Sequence, residues 1–475
     1  MKNYRILCIV LVLILLTQSV VIYADALDNY SGAASVQNGC NTLDAQEPIF
    51  GKNQILETAN AAMLYEVGSD TLMYSWNADQ QIYPASMVKI MTALLVLENA
   101  NISDTITVTA SALATLPKSA TSLKLVAGEV FTVDQMMYAM MVGGVNEAAV
   151  LLAEHVSGSQ AEFVRLMNQR AKELGCSGTN FVNVHGLHSD QQLSTARDLT
   201  KITAEAIKLP QFMEYFSTFS YRIAATEHSD IRRVETTNLL MNHLSEAYYD
   251  ARVTGGRTGI SDDSRRSVII TAESKGLHYI AVVMSAKPIF RENSTTVSRF
   301  GSFEEARDLL KLGFEQNKEY QILYEGQSLA AYTVAGGDSH VLLGPTKTVS
   351  VVLPSGVTFE DMDVRFGVSN GTLSAPVEKG TEITDVQVWY GSVCLAQSPV
   401  VALNRVNNVG HASLVENSKA SIDFKNNIKT FVTVLVVIGL VLLAVYVILR
   451  SVGLWRRVKR IALHRRRRSE RRRTR

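Results

Sequence analysis

The chain has 475 residues, of which 47% are hydrophobic and 19% charged, with a formal net charge of +1. At about 150 residues per domain this is roughly three folding units, and such a chain can bury a core without covalent staples. The near-zero charge hides two opposed parts: residues 450–475 hold thirteen Arg or Lys and one acid, a charge of +12, and the rest carries −11. An acidic body with a terminal basic block argues against a nucleic-acid-binding body.

At the start, Lys2 and Arg5 precede an apolar run from Ile6 to Ile22, and Ala24-Asp25-Ala26 offers a small-residue cleavage site. Residues 1–26 therefore read as a signal peptide. Residues 27–54 are polar and irregular, a linker. A mixed body is expected over residues 55–316. Its first feature is a hairpin, Ala61–Tyr65 and Thr71–Tyr74 around Gly68-Ser69-Asp70. A helix follows Pro84, with Ile90, Met91, Leu94, Leu95 and Leu97 at helical spacing and so few polar faces that it is buried on most sides. Helical patterns recur at Val133–Met141, Glu147–His155 and Ala161–Leu174, and Thr195 with Asp198 makes a capping box before another helix. Val268–Ala272 and Tyr279–Met284 are strands about a Ser274-Lys275-Gly276 turn, and Phe303–Phe314 closes the body as a helix.

Over residues 317–404 the texture changes to short strands of period two, such as Val349/Val351/Leu353 and Val386/Val388/Tyr390. Turns fall at Gly336-Gly337, Ser355-Gly356 and Asn370-Gly371, so this is a small all-β module. Residues 405–428 are a second polar linker, reaching on the order of 25 Å. Phe431 to Leu449 is free of charge and long enough to cross a bilayer, within a span at residues 429–450. The basic tail at 451–475 then belongs on the cytoplasmic side, and its charge answers to topology and anionic lipid rather than nucleic acid. The expected arrangement is an extracytoplasmic body on a single-pass membrane anchor. Cys8, Cys40, Cys176 and Cys394 are scattered without a Cys-x-x-Cys pair, so neither a zinc or redox motif nor a disulfide framework is expected.

The chemistry concentrates in three stretches. In Pro84-Ala85-Ser86-Met87-Val88-Lys89, Ser86 and Lys89 stand three apart at a helix start and share a face. A serine hydroxyl needs a base, and a lysine buried in an apolar segment has its pKa lowered far enough to be one. Gly143-Gly144-Val145-Asn146 opens a helix whose Asn can hold a substrate amide or the lysine. Gly255-Gly256-Arg257-Thr258-Gly259 precedes the Val268 hairpin; its glycines let a substrate backbone lie against a strand edge, and Arg257 with Thr258 can bind a carboxylate. His185 and His188 lack a third ligand and read as loop residues rather than a metal site. Arg197 and Asp198 read as a capping and ion-pair feature, and Trp76 and Tyr83 as packing residues beside the site.

The order of these stretches follows the Ser-x-x-Lys, Ser-x-Asn, Lys-Thr-Gly signature of serine penicillin-binding enzymes. The chain resembles the D-alanyl-D-alanine carboxypeptidase family of low-molecular-mass penicillin-binding proteins over roughly residues 55 to 405. The further segments that carry the resemblance are Thr179-Asn180-Phe181 with His185-Gly186-Leu187, Ser194–Leu199, Thr237-Asn238-Leu239-Leu240, and Ala375–Gly380 in the β module. The resemblance implies an α/β (α+β) serine β-lactamase-like fold, a mainly antiparallel sheet flanked by helices, followed by a small β domain. It implies removal of the terminal D-Ala from peptidoglycan stem pentapeptides, acylation by β-lactam antibiotics, and no cofactor. Position by position it makes Ser86 the nucleophile, Lys89 its base and Asn146 the residue that orients substrate and lysine. Arg257, Thr258 and Gly259 would bind substrate, with the backbone N–H groups of Ser86 and Ile260 as oxyanion hole.

Two positions depart from the pattern. Gly144 stands where the second motif has a serine whose hydroxyl the resemblance makes a proton relay. Arg257 stands where the third has lysine; it keeps a bidentate fork but cannot give up a proton. The alternative reading is therefore a catalytically impaired penicillin- or peptidoglycan-binding homologue, with a β-lactamase third. On the relay reading, Gly144→Ser is expected to raise turnover.

Overall fold

In this computed structural model the described residues are 43–44, 46–260, 265–291, 297–367 and 373–409. The expected signal peptide, membrane span and basic tail lie outside them, as do Cys8, Cys40 and the Asn370-Gly371 turn. Among the described residues no helix is long and apolar enough to cross a membrane.

The expected hairpin forms as β1 (Ala61–Glu66) and β2 (Thr71–Trp76). Pro84 leads into a 3-10 turn, Ala85–Val88, that runs straight into α1 (Lys89–Asn99). The short pair β3 (Thr105–Thr107) and β4 (Val130–Thr132) brackets α2 (Ala110–Ala114), and α3 (Val133–Met141), α4 (Asn146–Ser157), α5 (Gln160–Glu173), α6 (Ala196–Ala206) and α7 (Pro210–Phe216) follow. A second pair, β5 (Ser220–Ile223) with β6 (Arg232–Glu235), precedes β7 (Val253–Ile260), β8 (Arg266–Ser274) and β9 (Leu277–Ala286). β10 (Pro288–Phe290) pairs with β11 (Val297–Phe300) ahead of α8 (Gly301–Gln316).

Helix ends follow from local chemistry. Thr132 and Gln135 form a reciprocal capping box at α3, with bonds of 3.1 and 2.9 Å. Gly158 ends α4 in the left-handed region at φ 77°. At α6 only half of the expected box forms. Thr195 Oγ1 accepts from Asp198 N at 3.0 Å, while the Asp198 carboxylate accepts instead from Gly178 N and Thr179 Oγ1.

The central sheet has the order β2-β1-β9-β8-β7, and every neighbouring pair is antiparallel. One face carries Met63, Ile269, Ile280, Val282 and Met284 into a core shared with α1 and α3 to α7. The other carries Leu64, Val268, Ile270, Ala281 and Val283 against α8. With both faces covered, β1 and most of β8 and β9 are buried at every position, which is why they read as continuous apolar runs. On α8, Phe303, Leu309 and Leu310 are removed from water almost completely, at roughly 1.5–3 kcal/mol each. The result is the expected antiparallel sheet flanked by helices, with β7 at one edge.

The body starts earlier than the expected linker allows. Ile49 N and Phe50 N bond the carbonyls of Leu72 and Met73, Gln46 is buried, and the Leu43 carbonyl accepts from Arg197. These backbone groups satisfy the outer edge of β2.

Packing divides the chain into two units. Of the described residues, the first unit holds those up to Gln327 together with 345–367 and Ile383–Val400, and beyond α8 it contains β12 (Asn317–Leu323). The second holds Ser328–Gly344, 373–382 and 401–409. In it β13 (Ala330–Thr333) pairs antiparallel with β14 (His340–Pro345), and Val377 bridges Val406, so ordered pairing continues past residue 404 into the stretch expected to be linker. In the first unit β15 (Val349–Pro354) pairs with β12, and β16 (Met362–Phe366), β17 (Glu382–Tyr390) and β18 (Val393–Ala402) lie side by side. The expected all-β texture after residue 316 is present. Cys394 is disulfide-bonded, a pairing that the scattered cysteines did not announce. Cys176 is a free, buried thiol that burial pushes up to about 12.

Candidate active site

A cavity of about 270 Å³ opens where the 3-10 turn, the start of α4, the loop at 186–192 and the end of β7 converge. Ser86, Asn146, Arg257, Thr258, Gly259 and Ile260 all line it. Lys89 stands directly behind Ser86 and is fully buried. The structure thus gathers every candidate residue into one place.

Ser86 owes its position to the turn. Ala85, just before it, is held at φ 47°, a left-handed conformation that costs an L-residue roughly 1–2 kcal/mol. Met87 N bonds Pro84 O at 3.2 Å, so the turn is closed across the nucleophile. From Ser86, the rest of the 3-10 turn sets Lys89 Nζ, at the first residue of α1, 3.3 Å from Ser86 Oγ.

Lys89 has two further partners: Asn146 Oδ1 at 2.8 Å and the His185 carbonyl at 2.5 Å. All of Lys89–Val96 is buried, so the amine sits at the base of an apolar helix. Burial first, and the Arg257 charge second, hold its pKa well below the ordinary lysine value. Once that amine has lost its proton, it keeps a lone pair for the Ser86 proton between its two acceptors, which is what a general base requires. Asn146 fulfils the lysine-holding half of its expected role. Its own N–H donates to Thr121 O at 3.0 Å and so fixes the loop on that side of the cavity.

β7 brings the third stretch alongside the turn. A Cβ added at Gly259 would lie 3.0 Å from Ala85 Cβ and 3.4 Å from Ser86 N, so strand and turn touch there. Thr258 Oγ1 shares a short hydrogen bond with Thr237 Oγ1. Arg257 is only 3% exposed, and its Nη1 donates to Met141 O at 3.0 Å. Its Nε is buried without a partner, and among the described residues no carboxylate pairs with it. Burial brings the guanidinium down to about 10. One arm of the expected carboxylate fork is therefore committed to the end of α3.

Gly144 has φ +72°, which strains any side chain there, and an added Cβ would stand 2.6 Å from Arg257 Nη2. For Gly144→Ser the expected gain is therefore set against this backbone strain and a guanidinium that would have to shift.

Several residues at the site carried no assigned role in the sequence. The His185 carbonyl holds Lys89, and Gly186 lets that loop lie against Ala85 and Ser86. The His185 ring accepts from Leu187 N at 3.1 Å and is brought down to about 4 by burial and then by Lys89. Arg266 sets a second guanidinium at the cavity, 4.0 Å above the Phe300 ring. The loop at Ser119–Thr121 also lines it, and nothing in its polar composition marks it. Tyr83, expected to pack, stands exposed at the rim, edge-on to His188 at 4.6 Å. Trp76 packs on the α8 side and does not line the cavity. Arg197 forms a two-bond pair with Asp79, at 2.6 and 3.0 Å, away from the cavity.

Comparison with known proteins agrees with this arrangement. Residues 49–288 match the D-alanyl-D-alanine carboxypeptidase family, and residues 317–408 match the penicillin-binding protein 5 C-terminal domain. The chain is 26% identical over 372 residues to the D-alanyl-D-alanine carboxypeptidase DacF of Bacillus subtilis, covering 77% of this chain and 90% of that one. It is 27% identical over 362 residues to DacC of Escherichia coli, covering 74% and 85%. The crystal structure of penicillin binding protein 5 from Haemophilus influenzae superposes with a TM-score of 0.61 at 26% identity, covering 75% of this chain and all of the other. With Ser86 and Lys89 paired in its cavity and the family match spanning its body, the chain belongs to the D-alanyl-D-alanine carboxypeptidase family.

Proposed function

We propose that this protein removes the terminal D-Ala from peptidoglycan stem pentapeptides through an acyl-enzyme on Ser86. The observation that carries the reading is the contact of fully buried Lys89 with Ser86 Oγ at 3.3 Å. Ser86 Oγ attacks the carbonyl between the two D-Ala residues while neutral Lys89 takes its proton. The developing oxyanion is held by the backbone N–H groups of Ser86 and Ile260. The C–N bond breaks, the departing D-Ala amine carries away the proton from Lys89, and water hydrolyses the ester. Thr258 and the Arg257 charge hold the terminal carboxylate, with Gly259 leaving room for the substrate backbone. β-Lactams acylate the same hydroxyl.

The test is D-Ala release from a model pentapeptide by the purified full chain, with Ser86→Ala as blank and a fluorescent penicillin as a second readout. Release no greater than the blank would sink the proposal. The crowding of Gly144 by Arg257 favours one other reading, an impaired penicillin-binding homologue. A Ser86 adduct without D-Ala release would select it.

We also propose an extracytoplasmic body, delivered by residues 1–26 and anchored by one span at 429–450, with the basic tail, +11 over 451–475, against anionic lipid on the cytoplasmic side. The charge split supports this, as does wall peptide as the substrate. Protease added to intact cells should remove the body and spare the tail; a protected body would refute the topology.

A further inference from the structure

The two departures from the motif pattern meet in space. The ideal Cβ position of Gly144 lies 2.6 Å from Arg257 Nη2, 3.5 Å from its Cζ and 3.6 Å from its Nη1. In this position Nη2 crowds the place where a Cβ at 144 would stand, and a side chain there would require the guanidinium to shift. It reaches that volume from β7, where Arg257 sits opposite Ile269, and is held by the Met141 carbonyl at the end of α3. A carbonyl at a helix C-terminus is an unsatisfied acceptor at the negative end of the dipole, a favourable partner for a cation. Nη1 is used there, Nε is enclosed, and Nη2 has no hydrogen-bond partner among the described residues. Arg257, Gly144, Ser86 and Asn146 line the same cavity.

We propose that Gly144 and Arg257 form one interlocked unit. The Arg257 guanidinium fills the side-chain space of residue 144 and presents from β7 the polar donor that a hydroxyl at 144 would present to the cavity. This rests on the functional reading above and adds a position-specific dependence to it. The two departures are then one change rather than two defects: glycine at 144, which its φ of +72° also favours, leaves the space that arginine at 257 takes up. The donor is retained and the proton relay is not, because a guanidinium does not give up its proton under these conditions. Lys89 consequently moves the proton itself, through its direct contact with Ser86 Oγ.

The test uses the purified full chain and four variants: Gly144→Ser, Arg257→Lys, Gly144→Ser/Arg257→Lys and Gly144→Ala/Arg257→Lys. The readouts are the rate of acylation by fluorescent penicillin, D-Ala release and melting temperature. Coupling between contacting residues changes rates by about 2- to 150-fold. Each single variant is expected to acylate at least ~10-fold more slowly than the native chain, and Gly144→Ser/Arg257→Lys to return to within about threefold of it. Gly144→Ala/Arg257→Lys, which removes the crowding without restoring a hydroxyl, is expected to stay at least ~10-fold down. A Gly144→Ser chain as active as the native one would overturn the interlock, and so would losses that multiply in the Ser/Lys double. Equal recovery in the Ala/Lys double would overturn the donor role, since filling space would then suffice. If the native chain gives no more adduct than Ser86→Ala, it is the functional reading that fails. The interlock is then judged on melting temperature, where recovery in the Ser/Lys double supports it and additive losses refute it.

Discussion

Gly186→Ala isolates the backbone contact that seats the nucleophile. Gly186 sits at φ +86°, and a Cβ there would overlap the Ala85 carbonyl, with its carbon at 2.5 Å and Ser86 N at 2.9 Å. These are backbone atoms, so no side chain can swing aside. Restoring ordinary contact near 3.5 Å moves the loop or the turn by about 1 Å. The left-handed conformation costs ~1–2 kcal/mol and the overlap ~1–3 more. At about 2–4 °C per kcal/mol for a domain of this size, the melting temperature falls by about 5–15 °C. A 1 Å misplacement of Ser86 relative to Lys89 slows acylation by on the order of 10²-fold.

Gly158→Ala is the matched control. It has φ +77° and nothing within 4 Å of its added Cβ, so it takes the conformational cost alone, about 1–2 kcal/mol, with acylation unchanged. The assay is fluorescent-penicillin acylation alongside thermal melting for both variants. If Gly186→Ala acylates within threefold of the native chain, or if Gly158→Ala loses as much rate, the argument that Gly186 seats the nucleophile is wrong.

Three further outcomes are expected. Ala85→Gly relieves the positive φ at residue 85; the relief of ~1–2 kcal/mol offsets the ~0.5–1 kcal/mol entropy cost of glycine, so melting temperature holds or rises while acylation slows. A marked drop in melting temperature would contradict stored strain there. Acylation should rise with pH as Lys89 loses its proton, and removing the Arg257 charge with Arg257→Gln raises the Lys89 pKa and moves that limb to higher pH. An unmoved or down-shifted limb would show that Arg257 does not act on Lys89. The His185 imidazole, lowered from 6.5 to about 4, binds a proton in the unfolded chain before it does in the folded one. Its contribution is thus present above pH 6.5 and is lost as pH falls toward 4, by about 3 kcal/mol. His185→Asn should narrow the stability difference between pH 7 and pH 4 measured by urea unfolding; an unchanged difference would remove His185 from the account.

Legibility followed period and spacing. Val133–Met141 is a helix with the expected bounds because its apolar spacing marks it, and the structure adds the Thr132–Gln135 box that fixes its start. The β8–β9 hairpin was visible because two apolar runs flank Ser274-Lys275-Gly276. Ser86 and Lys89 could be paired from sequence because three residues along a helix start is a fixed geometry. What did not show was anything that depends on loops crossing in space. His185 contributes a carbonyl, which every residue has, so no side-chain pattern can mark it. Ile49 and Phe50 look like linker because they bond β2 through backbone groups, which no side-chain pattern marks. Most telling is Gly144 with Arg257, more than a hundred positions apart. Each alone looks like a lost function, and only their shared volume shows that one makes room for the other.

The site places its costs where the chemistry uses them. A left-handed Ala85, a lysine sealed from water and an arginine with no carboxylate partner among the described residues are each unfavourable on their own. Each is held by something rigid: the turn closed by Pro84, an acceptor pair on Lys89, the end of α3 under Arg257. The helical core and the antiparallel sheet around them are almost wholly apolar, so the scaffold supplies the stability that the site gives up. Removing one unfavourable element should therefore cost activity more readily than stability. Removing its holder should cost both. Asn146 illustrates the second case: Asn146→Ala would leave a buried amine short of an acceptor, a cost of about 1–3 kcal/mol, and would free Lys89 from its line to Ser86 Oγ.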